Sequence, residues 1–251
     1  MLAVAFGCAG SPTPPEQAPH PPAPPAPPPA APRPPDAALE LSLARSARTQ
    51  GRIEDEAEHL ERAIEGDPGA VEARLDLAGV LLRRGADLAR AATLLDDAER
   101  LGGPGARLLR LRGWLCELRG DDAGAVEAYA RSLAERPDPD LGLRQGQLLQ
   151  RLGRKEDAAR ELAGVIQQRP SDRAARAVLA DVYEGQGRFH EAEGMLLEIA
   201  ALAPLEAAPE RRLAAFYLRH GEPAKARAAE ARARALEGAP RALRPLRPSK
   251  R

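Results

Sequence analysis

The residues that could carry chemistry in this sequence are few and lie far apart. Two acidic pairs, Asp96-Asp97 and Asp121-Asp122, could share a proton only if their side chains converged, but adjacent side chains on a helix or turn point apart. The four histidines lack the i,i+4 spacing that places two metal ligands on one helical face. Glycine-rich phosphate loops and Ser/His/Asp arrangements are missing. The sequence therefore predicts a protein without enzymatic activity, metal or cofactor.

The two cysteines have different surroundings. They are too few for a disulfide framework. Cys116 shares an apolar helical face with Leu109, which predicts a buried core residue. Cys8 follows small and apolar residues in the stretch AFGC. This stretch resembles the bacterial lipobox, in which signal peptidase cuts before the cysteine and a lipid is attached to it, and Gly7 and Ala5 match that pattern.

The lipobox resemblance implies a membrane anchor. Residues 1–8 would be the remnant of a signal segment, and Cys8 would carry the lipid at the outer membrane, facing the periplasm. More than one acyl chain gives stable anchoring. Ala9 stands in place of the Asp that retains such lipoproteins at the inner membrane. The apolar stretch before Cys8 is short and carries no Lys or Arg. Either the true start lies upstream of Met1, or Cys8 is unmodified and the protein is a cytosolic adaptor with a disordered N-terminus.

A proline-rich segment follows the cysteine. The stretch Ser11 to Pro35 contains fourteen prolines, and proline fixes φ and lacks an N–H. Residues 9–35 are therefore predicted to be a disordered or extended linker that forms neither helix nor sheet. A ligand for proline-binding domains is the alternative, because PxxP recurs. We favour the spacer, since a stalk directly after a lipidated cysteine serves as a tether.

Internal repeats organise the remainder of the chain and would position any binding residues. Prolines follow predicted helices at steps of 33 to 36 residues, at positions 68, 104, 137, 170 and 204. The clearest unit runs from Arg173 to Glu206. Its first helix places Leu179, Ala180 and Tyr183 on one face. A glycine turn and a second amphipathic helix follow. A period near 34 predicts a helical solenoid.

This unit resembles the tetratricopeptide repeat, which has a small residue at repeat position 8, Gly at 15, Ala at 20, a large apolar residue at 24 and Pro at 32. The resemblance implies an all-α, right-handed superhelical solenoid over residues 36–238. The predicted repeats are residues 37–70, 71–105, 106–138, 139–172, 173–206 and 207–238.

Several positions depart from the repeat pattern. Glu56 occupies the usual Ala position of the first unit, and Arg112 stands where the third expects an apolar residue. The second unit has one extra residue before Ala91. In the last unit Glu230 replaces a large apolar residue, which predicts a solvated capping helix because a terminal repeat has one face without a neighbour.

The family resemblance implies a protein-protein interaction scaffold that binds a partner segment in a concave groove. Repeat positions 2, 5, 9 and 12 would face this groove. The candidates in the second, third and fourth repeats are Leu75, Leu82, Arg107, Arg110, Trp114, Glu117, Leu143, Gln147 and Gln150. Trp114, the chain's only tryptophan, is the best candidate for a partner anchor. The alternative is that it packs between the second and third repeats.

One ligand class of the family is not expected. Repeat proteins that hold acidic chaperone C-termini resemble one another in using Lys at position 5 and Asn at position 9, and no repeat of this chain carries that pair. Arg107 and Arg110 could together bind one carboxylate, or they could form a solvated face.

The C-terminal residues 239–251 form a basic tail that is predicted to be disordered. It could touch phosphate groups, engage an acidic partner or keep the last repeat soluble. No aromatic residues interleave with its charges, so nucleic acid is not expected.

The leading hypothesis for the whole chain is a lipid-anchored envelope scaffold, which resembles the pilotin lipoproteins that assist type IV pilus secretins. The alternatives are the cytosolic adaptor and, last, an enzyme-associated or nucleic-acid-binding module.

Overall fold

The computed structural model describes residues 34–103 and 105–238, which form twelve α-helices joined by turns and short loops. This confirms the all-α prediction of about six helical repeats. The helices are α1 (Ala37–Thr49), α2 (Ile53–Gly66), α3 (Val71–Arg84), α4 (Leu88–Gly102), α5 (Ala106–Leu118), α6 (Asp122–Glu135), α7 (Pro139–Arg151), α8 (Lys155–Gln168), α9 (Arg173–Gly185), α10 (Phe189–Leu202), α11 (Ala207–Arg219) and α12 (Pro223–Gly238).

The turn inside each repeat depends on a left-handed glycine. Gly187, between α9 and α10, has φ +75°, and Gly85, between α3 and α4, has φ +62°. Residues with a β-carbon rarely adopt such angles, so glycine ends one helix and allows the next to run back along it. The extra residue of the second repeat lies in the turn, where Ala86 and Asp87 separate Gly85 from α4, whereas Arg188 alone separates Gly187 from α10.

The hydrophobic core of the described residues consists of four clusters that follow one another along the repeats. Each odd-numbered helix packs on the even-numbered helix that follows it, and each even-numbered helix packs on the next repeat. The odd-numbered helices also meet, because α3 contacts α5 and α7 contacts α9. Leu162 is fully buried in the central cluster, and a β-carbon at Gly146 would lie 2.7 Å from its side chain. Small residues at this position therefore set how closely paired helices approach.

Two residues that break the repeat pattern are accommodated by ion pairs. Glu56 is 1% exposed and accepts hydrogen bonds from Arg48 Nε at 2.7 Å and Arg83 Nη2 at 2.6 Å. Arg112 is half-buried and donates to Asp96 Oδ1 at 2.7 Å. Both departures thus replace apolar packing with charge pairing, at the cost of desolvating the groups involved.

The final helix is a cap, as the sequence predicts. Only alanines of α12, at positions 226, 229 and 233, are buried. Glu230 is half-buried and pairs with Arg234 one turn further on. Most of the remaining residues of α12 are exposed, and they include three arginines and a lysine, so the repeat stack ends in a hydrated helix.

Three of the predicted segments lie outside the described residues. They are the cysteine stretch at residues 1–8, nearly all of the linker at residues 9–35, and the tail at residues 239–251. Among the helices of residues 34–103 and 105–238, none has both the length and the apolar character needed to cross a membrane.

Candidate functional site

A pocket of about 300 Å³ is lined by side chains of α1, α3, α5, α6 and α7. We call it the groove pocket. Its lining combines arginine guanidinium groups with leucine side chains and the indole of the only tryptophan. The lining residues are Arg48, Leu75, Asp76, Gly79, Arg83, Arg107, Arg110, Leu111, Trp114, Tyr129, Leu141 and Arg144.

A buried carboxylate lies at one side of the groove pocket. Asp76, on α3, is 8% exposed. It accepts a hydrogen bond from Arg48 Nη2 at 2.6 Å and another from Arg107 Nη2. Arg107 also binds Glu72 through Nη1. These contacts join α1, α3 and α5, so one carboxylate links three successive repeats.

The charge state of Asp76 follows from these contacts. Burial by itself would raise the pKa of this carboxyl group, but hydrogen bonds and charges from Arg48 and Arg107 outweigh it and hold the pKa below its ordinary value of 3.8. The hydrogen bond to Asp76 in turn raises the pKa of Arg48. Asp76 and Arg48 are therefore charged at neutral pH, and Asp76 is already paired within the chain.

The opposite side of the pocket is built around Trp114. The guanidinium carbon of Arg144, on α7, lies 5.8 Å from the centroid of the indole ring, which is within cation–π range. Arg144 Nε donates to Glu117 Oε2 at 2.7 Å, and the Tyr129 hydroxyl donates to the same oxygen at 3.1 Å. Burial raises the pKa of Tyr129 well above its ordinary value. Tyr129 and Arg144 thus hold Glu117 in place beside the indole.

Four of the predicted groove residues line one pocket, namely Leu75, Arg107, Arg110 and Trp114. Trp114 is half-buried and also packs against the core cluster of the second and third repeats. Trp114 therefore both packs between the second and third repeats and forms part of the pocket wall, which are the two positions that the sequence analysis considered for it.

The other predicted groove residues are spread more widely. Glu117 lies beside the pocket and is tied to Arg144 and Tyr129. The structure places Leu82 in the core at 1% exposure, and Leu143 packs partly buried against the core. Gln147 is exposed and Gln150 is half-buried on α7.

Sequence reasoning did not place seven of the lining residues in the groove, namely Arg48, Asp76, Arg83, Leu111, Tyr129, Leu141 and Arg144. Asp76 and Arg144 occupy repeat position 6, as does Leu111, and this position was not among those expected to face a partner. Arg48 occupies position 12 of the first repeat, so extending the same positions to that repeat would have found it. Position 6 shares a helical face with positions 2 and 9, which lie four residues before it and three residues after it.

The arrangement favours noncovalent binding. Cys116 is half-buried against the core, and burial raises the pKa of its thiol, so the thiol stays protonated at neutral pH. In the described part of the chain, no cluster of His, Cys, Asp and Glu could hold a metal ion. The pocket therefore offers guanidinium donors and an apolar wall to a ligand.

Comparisons with known proteins point to one family. A family model described as Tetratricopeptide repeat matches residues 41–87, 86–140 and 143–207, more than half of the chain. No curated protein sequence is significantly similar to this chain.

Solved structures share the fold at low sequence identity. PilW, described as a widely conserved type IV pilus biogenesis factor, is 18% identical with a TM-score of 0.64, over 79% of this chain and 92% of that one. Pseudomonas aeruginosa pilF is 14% identical with a TM-score of 0.62, over 81% and 93%. YrrB, described as having an unusual peptide-binding site, is 19% identical with a TM-score of 0.58, over 67% and 87%.

Proposed function

We propose that this chain, which belongs to the tetratricopeptide repeat family, is a non-catalytic scaffold that binds a segment of a partner protein in its groove pocket. The observation that carries the proposal is the position of Trp114, half-buried between core leucines and an open pocket. A tryptophan in this setting gains a large apolar contact when a partner covers it, and it loses little conformational entropy.

The surroundings of the pocket support this role. Trp114 is held by Arg144 on the neighbouring repeat, so its ring is positioned before a partner arrives. Binding then costs less ordering than it would on a mobile surface. The described residues offer no competing catalytic arrangement in the pocket, since its charged groups are arginines and an already paired aspartate.

Site-specific crosslinking in cells tests the partner surface. A photoreactive amino acid replaces Gln147, which is exposed on α7 beside the pocket, or Gln167, which is exposed on α8 and does not line it. We expect a discrete crosslinked protein at position 147 that is absent at position 167. Equal crosslinking at both positions, or none at either, would count against a partner at the groove pocket.

We further propose that the scaffold is held in the cell envelope by a lipid on Cys8. The support is the lipobox-like AFGC, followed directly by a proline-rich segment that would separate the repeats from the membrane. The fold similarity to PilW and pilF makes a pilotin-like role, assistance in assembling an envelope complex, the finer form of this proposal.

Membrane fractionation tests the anchor. The full-length gene product, with any upstream codons, is expressed as the parent, as Cys8→Ser and as Cys116→Ser, which is the matched control because it removes the other thiol. We expect the parent and Cys116→Ser in the membrane fraction and Cys8→Ser in the soluble fraction. If Cys8→Ser stays with the membrane, the anchor assignment is wrong. If the parent itself is soluble, no lipid anchor holds it and the anchor proposal fails.

A further inference from the structure

We infer that Arg110 and Arg144 bind a carboxylate of the partner segment in the groove pocket, while an apolar side chain of the same segment covers Trp114. This inference deepens the proposed function and rests on it. The occupant is a protein segment with an acidic group next to an apolar residue, and either an Asp or Glu side chain or a free C-terminus would supply the carboxylate.

The first support is the unequal use of the pocket's arginines. Arg48 and Arg107 each bind two carboxylates of the chain, and Arg83 binds the buried Glu56. These three arginines neutralise Asp76 and Glu56. The acidic groups on that side of the pocket are therefore compensated and do not repel an incoming carboxylate.

Arg110 and Arg144 are engaged far less. The nearest acidic atom to Arg110 is Asp138 Oδ2, 3.5 Å from Nη1, which is longer than a hydrogen bond of ordinary length. The other oxygen of Asp138 accepts from backbone N–H groups at the start of α7. Only one oxygen of this carboxylate is therefore left for Arg110, and it makes no short hydrogen bond with the guanidinium group.

Arg144 binds through one edge only. Its Nε donates to Glu117, and within the described residues no oxygen accepts a hydrogen bond from its Nη atoms. The side chains of Arg110 and Arg144 are 41% and 44% exposed, and both line the pocket. Their free N–H donors match the paired oxygens of a carboxylate.

The second support is the apolar half of the pocket. Trp114 lies one turn after Arg110 on α5, so both side chains lie on one face of the helix. Leu75, Leu111 and Leu141 complete the lining. A segment that carried only charged groups would leave these apolar side chains exposed to water, whereas an apolar side chain beside the carboxylate would bury them.

The single tryptophan provides a direct readout. Trp114 is the only tryptophan, so the chain gives one indole N–H cross-peak in a ¹⁵N NMR spectrum. The probe is the capped peptide acetyl-Gly-Leu-Glu-Leu-Gly-amide. Three further peptides are compared with it. In the second peptide Gln replaces Glu, and in the third Ser replaces both Leu residues. The fourth peptide has Gln in place of Glu and a free C-terminal carboxylate in place of the amide. The Glu peptide should shift the indole signal, and the Gln and Ser peptides should bind about tenfold more weakly or worse. The fourth peptide tells a terminal carboxylate from a side-chain one.

Variants assign the binding to the two arginines. Arg110→Gln and Arg144→Gln should each weaken the Glu peptide about tenfold. Arg110→Lys, which keeps the charge but cannot make two parallel hydrogen bonds, should lie in between. The matched control is Arg100→Gln, which changes an exposed α4 arginine whose one ion pair in the described part of the chain is with Asp97, and it should bind like the parent. Circular dichroism checks that each variant is folded. If a glutamine variant is unfolded, Arg110→Lys still tests the role of Arg110, because it keeps the positive charge.

Three results would overturn the inference. The first is no indole shift with the Glu peptide up to roughly 10 mM, where a millimolar complex would be mostly formed. The second is equal binding of the Glu and Gln peptides. The third is that inorganic phosphate displaces the Glu peptide as well as the peptide itself binds, and that the Ser peptide binds as tightly as the Glu peptide. This result would make the pocket a general anion site. If crosslinking at Gln147 succeeds while Arg110→Gln and Arg144→Gln leave it unchanged, the scaffold function stands and only the carboxylate inference fails.

Discussion

Gly113 on α5 faces the ring of Tyr129 on α6 so closely that a β-carbon would lie 2.3 Å from ring carbon Cε1. Tyr129 is 1% exposed, so its ring has no room to move aside. This contact fixes the distance between the two helices of the third repeat. It also sets the position of Trp114, the next residue along α5.

Replacement of Gly113 should therefore be costly. Gly113→Ala should lower the free energy of unfolding by about 1–3 kcal/mol, because the ring of Tyr129 must shift in a packed core. The matched control is Gly164→Ala in the middle of α8, where a β-carbon meets nothing within 4 Å. That change should stabilise the protein by roughly 0.5–1 kcal/mol. Urea unfolding followed by circular dichroism measures both, and equal effects would contradict the close contact.

Arg48 should matter more for stability than its exposure indicates. It binds Glu56 and Asp76, which belong to α2 and α3. Arg48→Ala should cost about 1–2 kcal/mol, allowing for solvent screening of its exposed part. Arg52→Ala is the control, because the one ion pair of Arg52 among the described residues is with Asp55, three residues along the chain, and it should cost less than about 0.5 kcal/mol. Thermal unfolding compares the two variants, and a similar fall in Tm would disprove the network.

Asp76 should make the stability depend on pH. Its folded-state pKa lies below 3.8, so as pH falls the unfolded chain binds the proton first. The stabilisation is complete above pH 3.8 and is lost as pH falls through the folded-state pKa. Asp76→Asn cannot titrate. The free-energy difference between the parent and Asp76→Asn should therefore shrink as pH is lowered below 3.8, and a constant difference would contradict the ion pairs.

The sequence predicts the fold because the repeat signals are local. Proline spacing, turn glycines such as Gly187 and small residues such as Gly146 each specify a short stretch of backbone, and together they imply six helical pairs. The helices of the structure confirm this. The same logic identified Glu56 as a departure from the pattern.

The site is less predictable because it is made of contacts between repeats. The partners of Glu56 include Arg83, 27 residues away, and no local signal indicates that contact. Leu82 follows the groove template, but residues 73–82 of α3 are all buried between neighbouring repeats. Arg144 and Asp76 lie at a repeat position that the template leaves out. Trp114 was found because its residue type alone marks it as a binding candidate.

The most direct test of the central claim is the effect of Trp114→Ala on crosslinking from position 147. The change removes the indole wall of the groove pocket and leaves Gln147 exposed on α7. With circular dichroism showing a folded variant, we predict that the crosslinked partner falls at least about tenfold, as expected for loss of a buried aromatic anchor. Crosslinking at the parent level would contradict a partner bound at Trp114.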